Sequence, residues 1–260
     1  MSEGVYREHA PPAALAAHVR CIWTYESDGE SAPQRIAPDG SPELIVHLGA
    51  PYEEESGGVR LVQPRVLFAG QHTRPLILHA RGALSCIGVR FEPDGARGFL
   101  GRPLSEATDK RLDMGDAKGV ATLVRALDAS EDPIGLVSSF VAARIGAPPD
   151  PDVRAAVKAL REEPAIDTAL STRALQRRFA EHVGVSARML ATIFRFRRVF
   201  DAIEAGGSWI EAALEAGYFD QPQMARDFRR FLGCTATEWA RQRTGLAYAL
   251  AASETYKKAG

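Results

Sequence analysis

Residues 211–233 read EAALEAGYFDQPQMARDFRRFLG: a short helix-forming run, a glycine hinge, then a second run carrying three arginines. Ser208 and Glu211 have the spacing of a capping box ahead of the first run, and Gly217 is placed to end it. Asp220 is placed to cap the second run and Gly233 to close it. Two short helices joined by Gly217-Tyr218-Phe219-Asp220 have the length and punctuation of a helix-turn-helix. Met224, Phe228, Phe231 and Leu232 fall on one face, expected to pack against Ile210, Ala213 and Leu214. The other face offers Gln221, Gln223, Arg226 and Asp227, then Arg229 and Arg230. Amide and guanidinium groups at the start of such a helix suit adenine and guanine edges, and the distal arginines suit phosphates.

The preceding segment repeats the pattern. Ser171 is placed to cap TRALQRRFAEH, which buries Leu175 and Phe179 and exposes Thr172, Arg173, Gln176 and Arg177; Gly184 ends it. Ser186 then opens ARMLATIFRFRRVFDAIEAG, which Gly206-Gly207 closes; its Arg197 and Arg198 are candidate phosphate contacts. A helix of that length, ~19 residues, spans about 28 Å. One turn of duplex is ~34 Å, so two reading heads could enter successive major grooves. Upstream, Asp152 is placed to cap VRAAVKALREE, which Pro164 stops, and downstream Thr235 and Glu238 form another capping box.

These residues carry a resemblance. TRALQRRFAEHVGVS, the RFRR segment and GYFDQPQMARDFRRFLGCTATEW together resemble the DNA-binding domain of AraC/XylS-type transcription regulators over roughly residues 152–243. The resemblance implies two helices reading adjacent major grooves of double-stranded DNA, through Thr172, Arg173, Gln176 and Arg177 in one and Gln221, Gln223 and Arg226 in the other. Two departures stand out. Ala236 replaces the proline such domains usually carry, and only PAIDTAL precedes Ser171, where the family places a short helix and turn. The second head is therefore expected to carry most of the specificity, the first mainly phosphate contacts. PDGSPELIVHLG and GVRFEPDGARGFLG also resemble an N-terminal domain found on a subset of these regulators, which implies a small β-barrel sensor or dimerisation module.

Composition fits this division. Of 260 residues, 45% are hydrophobic and 25% charged, an ordinary globular balance. The net charge of −1 excludes a uniformly basic nucleic-acid coat, but residues 1–149 carry about −4 and 150–260 about +3. In the second part, apart from Lys158, Lys257 and Lys258, the basic residues are arginine, whose planar fork suits phosphates and guanine. Cys21, Cys86 and Cys234 are too scattered for a metal knuckle and are expected as buried thiols. MSEGVYREHAPPAAL has no signal-peptide core and no run approaches a membrane span, so a cytoplasmic location is expected.

Segments 20–25, 43–49, 65–70, 75–80 and 85–91 read as strands about ten residues apart, the spacing of an antiparallel barrel or sandwich. Helical patterns follow over residues 116–145, and GAPPDPD (146–152) is the sharpest break in the chain. The expected fold is thus α+β in two domains. Residues 1–115 form an antiparallel β-barrel-like sensor and 116–149 its helical extension and linker. Residues 150–245 form an all-α domain with two helix-turn-helix units joined by a linker helix, and 246–260 a tail.

Trp23, Glu43, His47 and Arg90 are the candidate ligand-pocket residues. His47, His72 and His79 lack the spacing of a metal-binding cupin, and no nucleophile or phosphate-loop motif occurs; neither metal nor cofactor nor catalytic residue is expected. The expected function is a sequence-specific, ligand-responsive transcription regulator with a small-molecule effector, a homodimeric state and RNA polymerase as a further partner. The alternatives are a metal-dependent enzyme on the barrel, or a regulator acting by protein contact with weakened DNA binding.

Overall fold

Strand pairing in the N-terminal half explains why its apolar runs are nearly continuous. The computed structural model describes residues 4–29, 32–162, 173–204 and 208–241. All five expected strands form: β2 (Val19–Ser27), β4 (Glu43–His47), β7 (Val66–Ala69), β8 (Leu76–His79) and β9 (Leu84–Phe91). They are joined by β1 (Val5–His9), β3 (Gln34–Ile36), β5 (Glu53–Ser56), β6 (Val59–Val62) and β10 (Arg111–Asp113). The pairings are antiparallel, in a six-stranded sheet ordered β1-β2-β9-β4-β7-β10 and a four-stranded sheet ordered β3-β8-β5-β6.

The larger sheet is buried on both faces, which is why its central strands do not alternate polar with apolar. One face sets Trp23, Tyr25 and Cys86 against Ile36, Leu76 and Leu78 of the smaller sheet. The other sets Ile22, Leu44, Val46, Phe68, Ile87, Val89 and Phe91 against helical residues. A register shift between Val19 and Cys21 lets Val19 and Ile22, three positions apart, share that second face. The helices covering it are α1 (Arg97–Leu100), α2 (Val120–Leu127) and α3 (Pro133–Ala142), which bury Phe99, Val120, Leu123, Leu127, Val137 and Val141. The helices of 116–145 thus brace the sheet. Gly88 is required where it stands, since a Cβ there would lie 2.0 Å from the Trp23 indole.

The C-terminal half is helical: α4 (Pro151–Glu162), α5 (Arg173–His182), α6 (Ala187–Glu204), α7 (Trp209–Glu215), α8 (Gln221–Leu232) and α9 (Ala236–Ala240). α4 is capped two residues earlier than expected: the Asp150 carboxylate, not Asp152, accepts the N–H groups of Asp152 and Val153. Pro151 at the first helical position makes this natural, because it removes an N–H that would lack a partner. Ser186 caps α6 through Met189 N–H at 3.2 Å. Pro164, Ser171, Thr172 and Gly206-Gly207 lie outside the described residues.

The two halves touch at several separate places. Arg154 reaches Asp94 (2.7 Å) and the Ala17 carbonyl (2.7 Å), and Arg161 reaches Glu92 (2.7 Å). Thr108, just past a 3-10 turn at Leu104–Glu106, donates to the Gly184 carbonyl at 2.6 Å. Gly40, at φ +79°, lies so close to α6 that a Cβ would sit 2.8 Å from Phe194 and 3.0 Å from Leu190. Arg35 on β3 donates to the Leu232 carbonyl, at the end of α8, at 3.0 Å.

Candidate nucleic-acid interface

Local chemistry builds α7, the turn and α8 largely as the residues demand. Ser208 and Glu211 form the reciprocal capping box, and the Asp220 carboxylate accepts the Gln223 N–H at 2.7 Å. Gly217 (φ +80°) and Gly233 (φ +65°) adopt the left-handed conformation that ends each helix. Thr235 and Glu238 complete a second capping box before α9. Beneath α8, Met224, Phe228, Phe231 and Leu232 are buried, with Phe228 edge-on to Phe196 of α6 at 4.9 Å.

On α7 and the residue that caps it the buried side includes Ala212, Ala213 and Ala216, while Ile210 and Leu214 are 62% and 64% exposed. The expected packing of Ile210 and Leu214 against α8 is therefore corrected. Alanines face the core instead, and Trp209 meets Phe228 of α8 edge-on at 5.7 Å.

Outside, Gln221, Arg226, Arg229 and Arg230 are exposed and Gln223 is partly exposed. Asp227 is not on this face. It is buried, accepting from the Tyr218 hydroxyl (2.9 Å) and Arg195 (3.2 Å). Arg195 also stacks over the Tyr218 ring at 4.5 Å. Burial raises the Tyr218 pKa and the Asp227 charge adds to it, so the hydroxyl stays protonated and donates.

On α5, Arg173, Gln176 and Arg177 are exposed, Leu175 is partly buried and Phe179 fully so. Arg178 turns back to Asp150 and Asp152, a network that raises its own pKa and, against burial, lowers that of Asp150. The two arginines expected as phosphate contacts on α6 are placed otherwise. Arg197 is 4% exposed over the Phe200 ring, and Arg198 donates to the carbonyls of Arg161 and Glu162 at the end of α4. The RFRR segment is thus largely internal, ordering the helices around it.

In the N-terminal half the four candidate pocket residues share one sheet face. Glu43 lies opposite Arg90, Arg90 opposite Cys21, and Trp23 opposite Gly88 one row along, followed by His47 opposite Cys86. Arg90 is fully buried, with Nε 2.9 Å from Glu43 and 3.4 Å from Asp39, and Nη1 3.3 Å from Glu8. Trp23 donates to the same Glu43 oxygen at 2.9 Å. Burial pushes the Glu43 carboxyl up against the pull of Arg90. Trp23 and Glu43 line a cavity of ≈ 30 Å³ with Gln63, His72 and Arg111, room for about one water. His47 reaches it through Gln63 (3.2 Å), and Arg90 lies behind Glu43. His47, His72 and His79 pair with Gln63, Arg111 and Glu55 respectively, so the three imidazoles do not converge. Among the described residues no group of three or more His, Cys, Asp or Glu could hold a metal ion, and the three cysteines are buried and form no disulfide. No described helix is long and apolar enough to cross a membrane.

Two family models match the chain. Residues 7–113 match a domain of unknown function (DUF6597), and residues 165–242 match a helix-turn-helix domain. No curated protein matches. Among solved structures, ToxT from Vibrio cholerae is similar at 11% identity and TM-score 0.48, over 94% of this chain and 100% of that one. ToxT from strain SCE256 bound to an unsaturated fatty acid is similar at 10% identity and TM-score 0.47, over 95% and 98%. The helix-turn-helix match falls on the surface just described, and it makes the chain a DNA-binding transcription regulator. Its helix-turn-helix domain is of the AraC type, and the chain has a two-domain α+β architecture.

Proposed function

We propose that α8 is the principal base-reading helix of a sequence-specific regulator, with Gln221, Gln223 and Arg226 on base edges and Arg229 and Arg230 on phosphates. One observation carries this reading: Gln221 and Arg226 face solvent together while Met224 and Phe228, between and beside them, are buried. On α5, Arg173, Gln176 and Arg177 supply mainly phosphate contacts in an adjacent groove. Thr172 and the shortened segment ahead of it belong to the same reading but lie outside the described residues. We take residues 1–115, 116–149, 150–245 and 246–260 as sensor, extension, DNA-binding domain and tail.

The sensor reading rests on the polar cluster of Trp23, Glu43, Arg90 and Asp39. Asp39 and Gly40 are neighbours in one loop, so the loop that holds Arg90 also presses on α6. A small-molecule effector acting on this cluster would move the linker helix. A non-enzymatic, cytoplasmic protein, a homodimer and a contact with RNA polymerase complete the proposal.

Titration of labelled promoter DNA at several salt concentrations tests it. The expected result is a steep salt slope with specific binding ~10³-fold or more above non-specific binding. Salt-sensitive binding without that ratio would favour a regulator acting through protein contact. Stoichiometric copurifying zinc or iron would favour a metal enzyme on the sensor.

A further inference from the structure

We propose that the two glutamines at the start of α8 read DNA differently: Gln221 through both ends of its amide, Gln223 as a hydrogen-bond donor. This rests on the assignment of α8 as the base-reading helix. Gln223 Oε1 accepts the backbone N–H of Phe219 at 3.0 Å. A backbone N–H only donates, so the atom facing it is the oxygen, and the amide orientation is fixed by chemistry. Asp220 and Gln223 stand as the first and last residues of a capping box, D-x-x-Q, with the glutamine reaching one residue further back than usual.

The bond holds the oxygen against the turn and leaves the NH2 end to face the groove. That end has no hydrogen-bond partner among the described residues. Bidentate reading of adenine needs the oxygen to accept from N6 while the nitrogen donates to N7. One lone pair of Oε1 stays open, so it is the position of the oxygen against the turn, and not its capacity, that opposes this in Gln223. As a donor it matches O6 and N7 of guanine, or O4 of thymine. Gln221, exposed at the first position of the helix, makes no side-chain hydrogen bond among the described residues and keeps both functions.

Selection of binding sites from random duplexes by the full chain and its Q223E, Q223A and R226A variants tests the idea. Q223E keeps an acceptor for the Phe219 N–H but loses the donors, so it is expected to melt as the parent does. It should lose roughly tenfold of the preference for guanine or thymine at one base pair and keep the rest. Two outcomes overturn the proposal. One is that neither Gln223 variant alters selection. The other is that the pair Gln223 governs is adenine, and binding weakens roughly tenfold when purine, which lacks the N6 amine, replaces it. R226A separates the two levels. If it relaxes a base pair of its own while the Gln223 result is negative, only this inference fails; if it too leaves selection unchanged, α8 is not the reader.

Discussion

The Tyr218 hydroxyl donates a 2.9 Å hydrogen bond to Asp227, tying the turn of the helix-turn-helix to the middle of its second helix. Arg195 of α6 joins the same carboxylate oxygen at 3.2 Å. Asp227 is therefore the point where the turn, α8 and the linker helix are fastened together. Replacing Asp227 by Ala leaves a guanidinium and a phenol without their acceptor and is expected to cost about 3 kcal/mol, against about 1 kcal/mol for Tyr218→Phe. Urea unfolding of the two variants measures the difference.

Arg226 and Arg173 should behave differently on DNA. Arg226→Ala is expected to lose about 1–3 kcal/mol at particular base pairs. Arg173→Ala should weaken all sequences by a similar, smaller amount and reduce the salt slope by about one. Competition binding on single-base-pair variants of the site distinguishes them; base-specific losses of equal size would contradict the assignment.

Buried histidines make the N-terminal half acid-sensitive. Burial lowers His47 to about 4, and burial with Arg111 nearby lowers His72 to about 4, from the ordinary 6.5. The unfolded chain binds these protons first, so stability is full above pH 6.5 and falls as pH drops from 6.5 towards 4. Two shifts of this size amount to several kcal/mol by linkage. Urea midpoints at stepped pH should show that fall, and His47→Gln should flatten part of it.

Gly40 has no room to change. Its φ of +79° disfavours any side chain, and Phe194 and Leu190 occupy the space a Cβ would need. Gly40→Val is expected to loosen the contact between the halves at a cost of about 1–3 kcal/mol. Limited proteolysis within residues 146–152 should be faster in that variant, with each half still folded by circular dichroism.

What the sequence revealed, and what it hid, divides by range. Caps and left-handed glycines depend on neighbours three or four positions away, and Ser208, Gly217, Asp220, Gly233 and Thr235 all do what their types suggest. The exposure of Gln221 and Arg226 followed from helical phase alone. The fate of Asp227 did not, because its partner Arg195 lies 32 residues away. Arg197 and Arg198 looked like free cations for the same reason: nothing local marks the Phe200 ring or the end of α4 as their destination. Ile210 and Leu214 misled because large apolar residues outrank alanine in any pattern, yet here the alanines take the buried positions. Strands β5 and β6 were missed because EEES and VRLV carry charge and no alternation; pairing across the sheet, not composition, makes them strands.

The N-terminal half grips the helical half at Gly184 through Thr108 and at Leu232 through Arg35, with Gly40 seated on α6 between. It is thus a splint across α5 and α8, the two proposed reading helices, and the distance between them belongs to the whole chain. An operator lengthened by one base pair between its two half-sites shifts the second groove by about 3.4 Å and rotates it by about 35°. A protein splinted in this way pays for that extra base pair with the loss of one head's contacts, whereas the helical half released from its splint can flex to follow it.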